Sequence, residues 1–155
     1  MKKQKAIIAY LVGLLLLLVT AASAQTTEKL WLSNYEQAAK KAKAENKPIL
    51  MVFAGSDWCK PCIMLRKEVW DTDAFMNYAK DNFVLLELDF PRFKKNQLPE
   101  EQVKHNEALA EKYNTEGTFP LVVVTDADGK VLAKTGYQPG GPQNYIQHLQ
   151  TLMKK

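Results

Sequence analysis

Cys59 and Cys62 are the only cysteines of the chain, and they stand together in Trp58-Cys59-Lys60-Pro61-Cys62. Two thiols at that spacing can close a small disulfide and open it again. A helix starting at Cys59 would equip them for this. The first thiol would meet the unpaired N–H groups and the positive end of the helix dipole, which favour an anion. Its pKa falls and its thiolate fraction rises. One turn later the second thiol would be close by and more buried. Cys59 is therefore the expected nucleophile and Cys62 the resolving thiol, which breaks a mixed disulfide between Cys59 and a substrate. Pro61 suits the first helical turn, where its missing N–H costs no hydrogen bond. Lys60 adds a nearby cation, and Trp58 would shield one side of the pair.

Three other readings compete. Zinc takes four ligands, often as two such pairs. No second pair exists here, and His105 and His148 are isolated in the sequence. Covalent haem attachment needs a histidine at position 63, which is Ile63. A purely structural disulfide suits an exported protein, but closing so short a loop constrains the unfolded chain little. No metal and no bound cofactor is expected.

Residues 1–24 read as a secretory signal peptide. Lys2, Lys3 and Lys5 precede an apolar run, and Ala22-Ser23-Ala24 offers a small-residue cleavage site. An uncleaved anchor helix is the alternative, because the run approaches bilayer-spanning length. With no cysteine near the end of this segment, a lipid-anchored form is not expected. Cleavage near Ala24 would leave a domain over 25–155 in a periplasm or outside the cell, where disulfides persist. The formal charge of +4 over 155 residues owes much to the three leader lysines, leaving 18 Lys and Arg against 17 Asp and Glu in the remainder. That balance argues for neither nucleic acid nor an anionic membrane as a partner.

Residues 25–32 read as a short leader to the domain. Ser33 is the expected N-cap of a helix over 35–44, with Glu36 completing a capping box, and Asn46-Lys47-Pro48 closes it. The run Ile-Leu-Met-Val-Phe-Ala at 49–54 suits a strand buried on both faces. Gly55-Ser56-Asp57 breaks it before the helix at Cys59, which Asp71-Thr72-Asp73 interrupts or recaps and a stretch at 74–80 continues. A second central strand is expected over 83–90, a loop carrying Arg92, Lys94 and Lys95 over 91–99, and a helix over 100–113 with a solvated His105. A third strand at 121–125, the turn Asp126-Ala127-Asp128-Gly129, a returning strand at 130–135 and a last helix bearing Tyr145, Ile146, Leu149, Leu152 and a surface His148 complete the chain. Trp31, Trp70, Phe75 and Tyr78 are expected in or beside the core. The fold class is α/β, a mixed sheet with helices on both faces.

The motif Trp58-Cys59-Lys60-Pro61-Cys62 resembles the active site of thioredoxin-family proteins, which usually carry Trp-Cys-Gly-Pro-Cys. The element order from about Tyr35 to Leu152 is similar to the thioredoxin fold, and 55–59 with Glu68-Val69-Trp70 looks like the exported thioredoxin-like branch. The resemblance implies a cis-proline opposite the disulfide, which Thr118-Phe119-Pro120 would supply, and a Phe119 backbone that pairs with an extended substrate segment. Thioredoxins also place a carboxylate six residues before the first cysteine as proton acceptor for the second. Phe53 stands there, so Asp57, Glu87 or water is left for that task. The expectation is an exported thiol–disulfide oxidoreductase, working as a monomer on cysteine-containing proteins. The preferred direction is reduction, recharged by a membrane electron donor. Oxidase or isomerase action is the chemical alternative, and a non-catalytic binding or assembly module the alternative of another class.

Overall fold

The computed structural model describes residues 30–154. The expected signal segment, its cleavage site and the start of the domain at 25 lie outside the described residues. Five strands form one sheet in the order β1-β3-β2-β4-β5. They are β1 (Trp31–Leu32), β2 (Ile49–Ala54), β3 (Val84–Asp89), β4 (Leu121–Thr125) and β5 (Val131–Thr135). β3 runs parallel to both β1 and β2, while β4 runs antiparallel to β2 and β5 to β4. The helices are α1 (Tyr35–Glu45), α2 (Lys60–Leu65), α3 (Asp73–Asn82), α4 (Glu100–Tyr113) and α5 (Gly141–Met153). This is the mixed sheet, covered on both faces, that the sequence led us to expect.

Strand alternation splits the core in two. Leu50, Val52, Ala54, Leu85, Val122 and Val124 join Cys59 and Cys62, with Leu65 of α2, Trp70 beyond it, Phe75 of α3, and Tyr145 and Leu149 of α5. Ile49, Met51, Phe53, Val84, Leu86, Leu88 and Val123 point the other way, toward Ala38 and Ala42 of α1 and Tyr113 of α4. All six residues of β2 are buried, which is why that segment reads as a continuous apolar run.

Local corrections have simple causes. Residues 25–32 are not all leader, because Trp31 and Leu32 form β1 opposite Leu85 and Leu86. A two-residue strand is too short to show an alternation. The N-cap of α1 is Asn34 rather than Ser33; its Oδ1 accepts the Gln37 N–H at 2.9 Å, so Glu36 does not close the box. Both residue types cap well, and only the backbone decides which one holds the extended conformation. His105 is not solvated: its side chain is 16% exposed, and Nε2 accepts the backbone N–H of Tyr35 at 3.0 Å. His148 is half-buried, with Nε2 2.8 Å from the Thr135 hydroxyl.

The helix after the cysteines is interrupted and recapped at 71–73, as expected, after a change of pitch. Beyond Leu65 it widens into a π-helical turn over Arg66–Trp70. Thr72 then caps α3, its hydroxyl accepting the Phe75 N–H at 3.3 Å. The wide turn swings Val69 and Trp70 into the core while Arg66 stays at its edge.

Candidate active site

Cys59 and Cys62 are joined in a disulfide, with their Cα atoms 5.2 Å apart. Cys59 is the N-cap of α2, in extended conformation, and its Sγ accepts the backbone N–H of Cys62 at 3.3 Å. A sulfur in that place takes the position of a capping oxygen. When the pair is reduced, the same N–H and the helix dipole stabilise a Cys59 thiolate. Pro61 lies within the first turn, and Lys60, Pro61 and Ile63 are exposed. One expectation is not met: the two cysteines are covered alike, at 4% and 5% exposure. With the disulfide closed, Cys59 is folded under its neighbours, so exposure does not distinguish the two sulfurs here. Their positions at and within the helix start do.

The segment before the pair is pinned from several sides. The Trp58 indole packs onto Gly55 so closely that a Cβ at Gly55 would lie 2.3 Å from the ring. Its Nε1 donates to the Phe90 carbonyl at 2.7 Å. The Asp89 carboxylate accepts the Ser56 N–H at 2.8 Å and the Ser56 hydroxyl at 2.6 Å. Asp57 reaches the other way, accepting the N–H of Arg92 at 2.9 Å, the N–H of Phe93 at 3.0 Å and the Asn96 side-chain amide at 2.9 Å. Desolvation works to raise the Asp57 carboxyl, but these donors, the Arg92 N–H foremost, hold it below the usual carboxylate range.

Asp57 is thus engaged in holding 92–96 and does not face Cys62. That loop is a built part of the site. Lys94–Asn96 forms a turn of 3₁₀ helix, and the Arg92 guanidinium lies 3.6 Å from the centre of the Trp58 ring. Asp57 is the one acid in 55–59, and only the fold shows what it reaches.

On the facing side, the Phe119–Pro120 bond is cis. Pro120 is buried and lines a small cavity with Cys62, so the two stand opposite each other as expected. The Phe119 ring touches Trp58 and Phe90, each at 5.4 Å between centroids. Trp58, Phe90, Leu98 and Phe119 wall an open groove of about 580 Å3. Trp58, Lys60, Pro61, Phe119, Pro120 and both cysteines are therefore gathered at one end of the sheet.

Phe53 does not occupy the position expected of it. Its side chain lies on the opposite face, stacked 6.4 Å from Phe90. The β2 residue that faces Cys62 is Val52, seven positions before Cys59. Gly55-Ser56-Asp57 makes the connection long enough to change the strand parity, so a count back from the cysteine lands on the wrong face. Val52 leaves that wall apolar. Glu87, paired with Val52 across the sheet, is the carboxylate that remains near Cys62.

A redox disulfide at a helix start, opposed by a cis-proline at one end of this sheet, defines a thioredoxin-like enzyme. The comparisons agree: residues 35–152 match the thioredoxin-like domain model. The chain belongs to that family and is a thiol–disulfide oxidoreductase. It is 37% identical over 121 residues to the disulfide bond reductase DsbH of Chlamydia pneumoniae, covering 78% of this chain and 71% of the relative. A solved structure of a DsbH oxidoreductase superposes with a TM-score of 0.73 at 37% identity, over 80% of this chain and 83% of that one. A disulphide isomerase structure from Xylella fastidiosa Temecula1 is more distant, with a TM-score of 0.50 at 25% identity over 64% of this chain and 69% of that one.

Among the described residues no group of three or more His, Cys, Asp or Glu is placed to hold a metal ion. No helix among them is long and apolar enough to cross a membrane.

Proposed function

We propose that this protein is an exported reductase of protein disulfides. The observation that carries the reading is the Cys59 sulfur set as the cap of α2, where it receives the Cys62 N–H. In the reduced protein the Cys59 thiolate attacks one sulfur of a substrate disulfide, and the other substrate sulfur leaves as a thiolate. Cys62, as a thiolate, then attacks Cys59 Sγ and releases the second substrate sulfur. The substrate gains two electrons and two protons, and the protein is left with the Cys59–Cys62 disulfide. Trp58 and the cis-proline pair Phe119-Pro120 border the place where an extended cysteine-containing segment would lie, with the Phe119 backbone free to pair with it. Lys60 and Pro61 form the exposed lip.

Reduction is favoured over oxidation by the Cys-Lys-Pro-Cys sequence and by the similarity to a protein named as a disulfide bond reductase. The sequence of residues 1–24 supports export to a periplasm or the cell exterior. Working there, the enzyme would need a membrane protein that returns electrons to its disulfide, and it would act as a monomer.

The reduction potential of the Cys59–Cys62 pair tests the direction. A value near about −270 mV supports a reductase, whereas one near about −120 to −180 mV assigns the protein to oxidation or isomerisation. That second reading draws on the similarity to the Xylella isomerase structure. The roles of the sulfurs have their own test. Cys62→Ser should accumulate mixed disulfides on Cys59, visible on non-reducing gels, while Cys59→Ser should accumulate few and lose turnover to background. Equal trapping by both variants would remove the role assignment.

A further inference from the structure

Resting on that redox reading, the charges around the site bear on its substrates. The carboxylates near the cysteines are engaged within the protein. Asp57 accepts the backbone N–H groups of Arg92 and Phe93 and the Asn96 amide. Asp89 holds Ser56, Glu87 pairs with Arg66, and Glu68 accepts the Tyr137 hydroxyl at 2.7 Å. The cations are the reverse. Lys60, Arg92, Lys94 and Lys95 are all exposed. None of the four pairs with a carboxylate among the described residues. Beyond residue 24 the charges of the chain nearly balance, yet the reactive end is left positive.

Arg92 is the cation that the fold fixes. Its backbone N–H is held by Asp57, two residues before Cys59, and its guanidinium lies 3.6 Å from the centre of the Trp58 ring. The ring is itself pinned through Nε1 to the Phe90 carbonyl at 2.7 Å. The guanidinium is thus set in place while its N–H fork has no carboxylate to match. A side chain ordered in advance costs less to use in binding.

Arg92 also lines the groove walled by Trp58, Phe90, Leu98 and Phe119. The polar groups along that groove are mostly spent. Asn106 donates to the Asp89 carbonyl at 2.8 Å and accepts from Gln102 at 2.8 Å, and Glu100 pairs with Lys104 at 2.6 Å. Glu107 is the lining acid left over, and it stands on α4 rather than on the loops beside the cysteines. An apolar wall with one fixed cation suits a polypeptide segment that carries an acidic side chain beside an apolar one. A small anion would leave the apolar wall uncovered.

We propose that Arg92 is a specificity-determining residue, which selects polypeptide substrates with an acidic side chain next to the cysteine that Cys59 attacks. The substrate carboxylate meets the guanidinium, and an apolar neighbour covers the groove. Lys60, Lys94 and Lys95 add attraction at longer range, which speeds the encounter. The disulfide exchange itself is unaltered; Arg92 acts on which disulfide is presented to it.

Three peptide disulfides test this with the reduced full-length protein. Each is the disulfide-linked dimer of one short peptide, alike except for Glu, Gln or Lys on both sides of the cysteine. Rates are divided by those with dithiothreitol, which corrects for the reactivity of each disulfide. At low ionic strength the corrected rate should fall in the order Glu, Gln, Lys, with about 30-fold between the extremes. The spread should shrink at about 1 M salt, where the Debye length falls to about 3 Å. Arg92→Gln should lower the Glu-to-Lys ratio by about 10-fold, Arg92→Lys should keep most of it, and Arg92→Glu should bring it below one.

A corrected ratio near one in the wild-type protein would overturn this inference and leave the redox reading standing, and that measurement needs no variant to fold. Binding to vesicles of equal parts phosphatidylcholine and phosphatidylglycerol, with the ratio near one, would assign the positive face to an anionic membrane instead. A ratio that survives Arg92→Glu, or an Arg92→Gln variant that slows all three peptides equally, would overturn the role of Arg92. Failure of the wild-type protein to reduce any of the three would overturn the redox reading, and this inference with it.

Discussion

On one face of β2, Val52 and Ala54 look onto Cys62, Glu87 and Pro120. On the other, Met51 and Phe53 pack among Val84, Leu86, Leu88 and Tyr113. Both faces are sealed by helices and both bury aromatic rings. The first face differs in carrying a disulfide, an ion pair and a cavity at its edge, so its packing also sets reactivity. The second is mostly apolar, with polar groups that only brace the fold, such as the Tyr113 hydroxyl, which donates to the Gly129 carbonyl at 3.0 Å. Stability is thus spread over both faces, while chemistry is confined to one. The division follows from the two-residue repeat of a strand, in which neighbours such as Val52 and Phe53 cannot serve the same side.

The sharpest way to break this division is to empty each face in turn. Trp70→Ala and Phe53→Ala each remove a buried ring and should each cost about 3–5 kcal/mol in denaturant unfolding. Only Trp70→Ala opens the wall beside Cys62, so among folded molecules only it should alter the rate of the resolving step. If Phe53→Ala changes that rate equally, the two faces are not functionally separate.

A smaller effect concerns the loop that closes the reactive end. Asp57→Ala removes the acceptor for the Arg92 and Phe93 N–H groups, so hydrogen exchange at those two amides should rise while the exchange of β2 amides stays unchanged. Acid should mimic it. The Asp57 carboxyl is held below its ordinary range in the folded protein. Its contribution is therefore present above the usual carboxylate pKa of about 3.9 and is lost as pH falls through the lower folded value. The Arg92 and Phe93 amide resonances should shift together below about pH 4. Independent movement of the two would argue against a single clamp.

The smallest expected effect lies on the inert face, at the start of α1. Asn34→Ala should cost about 1 kcal/mol, and Ser33→Ala close to nothing. Neither should change the disulfide chemistry. The reverse order of costs would restore the cap to Ser33.

Much of this molecule was legible in its sequence. The burial of Ile49–Ala54 and the helix Glu100–Tyr113 follow from local composition, and the Asp126–Gly129 turn from its turn residues. The pairing of Cys59 with Cys62, and the place of Pro61 in the first helical turn, follow from spacing. Resemblance to a family located Pro120 and its cis bond. Short-range patterns carry these features because each is settled by a few adjacent residues.

What escaped was settled by partners far along the chain. Trp31 and Leu32 are a strand only because Leu85 and Leu86 offer an edge. Arg92 lies over Trp58 because Asp57, some 35 positions earlier, holds its backbone. His105 is half-buried because α1 begins against it. A count of six residues back from Cys59 placed Phe53 beside the sulfurs, and the length of the turn at Gly55 reversed the parity.

By itself the sequence determined that this protein holds a redox-capable cysteine pair at a helix start within an alternating α/β chain, because helix, strand and turn preferences and the reach of two thiols are local properties. Only the tertiary structure decided which β2 side chain faces Cys62, which carboxylate stands near it and what Asp57 holds. Those depend on strand register and on contacts between residues that are neighbours in space and not in order.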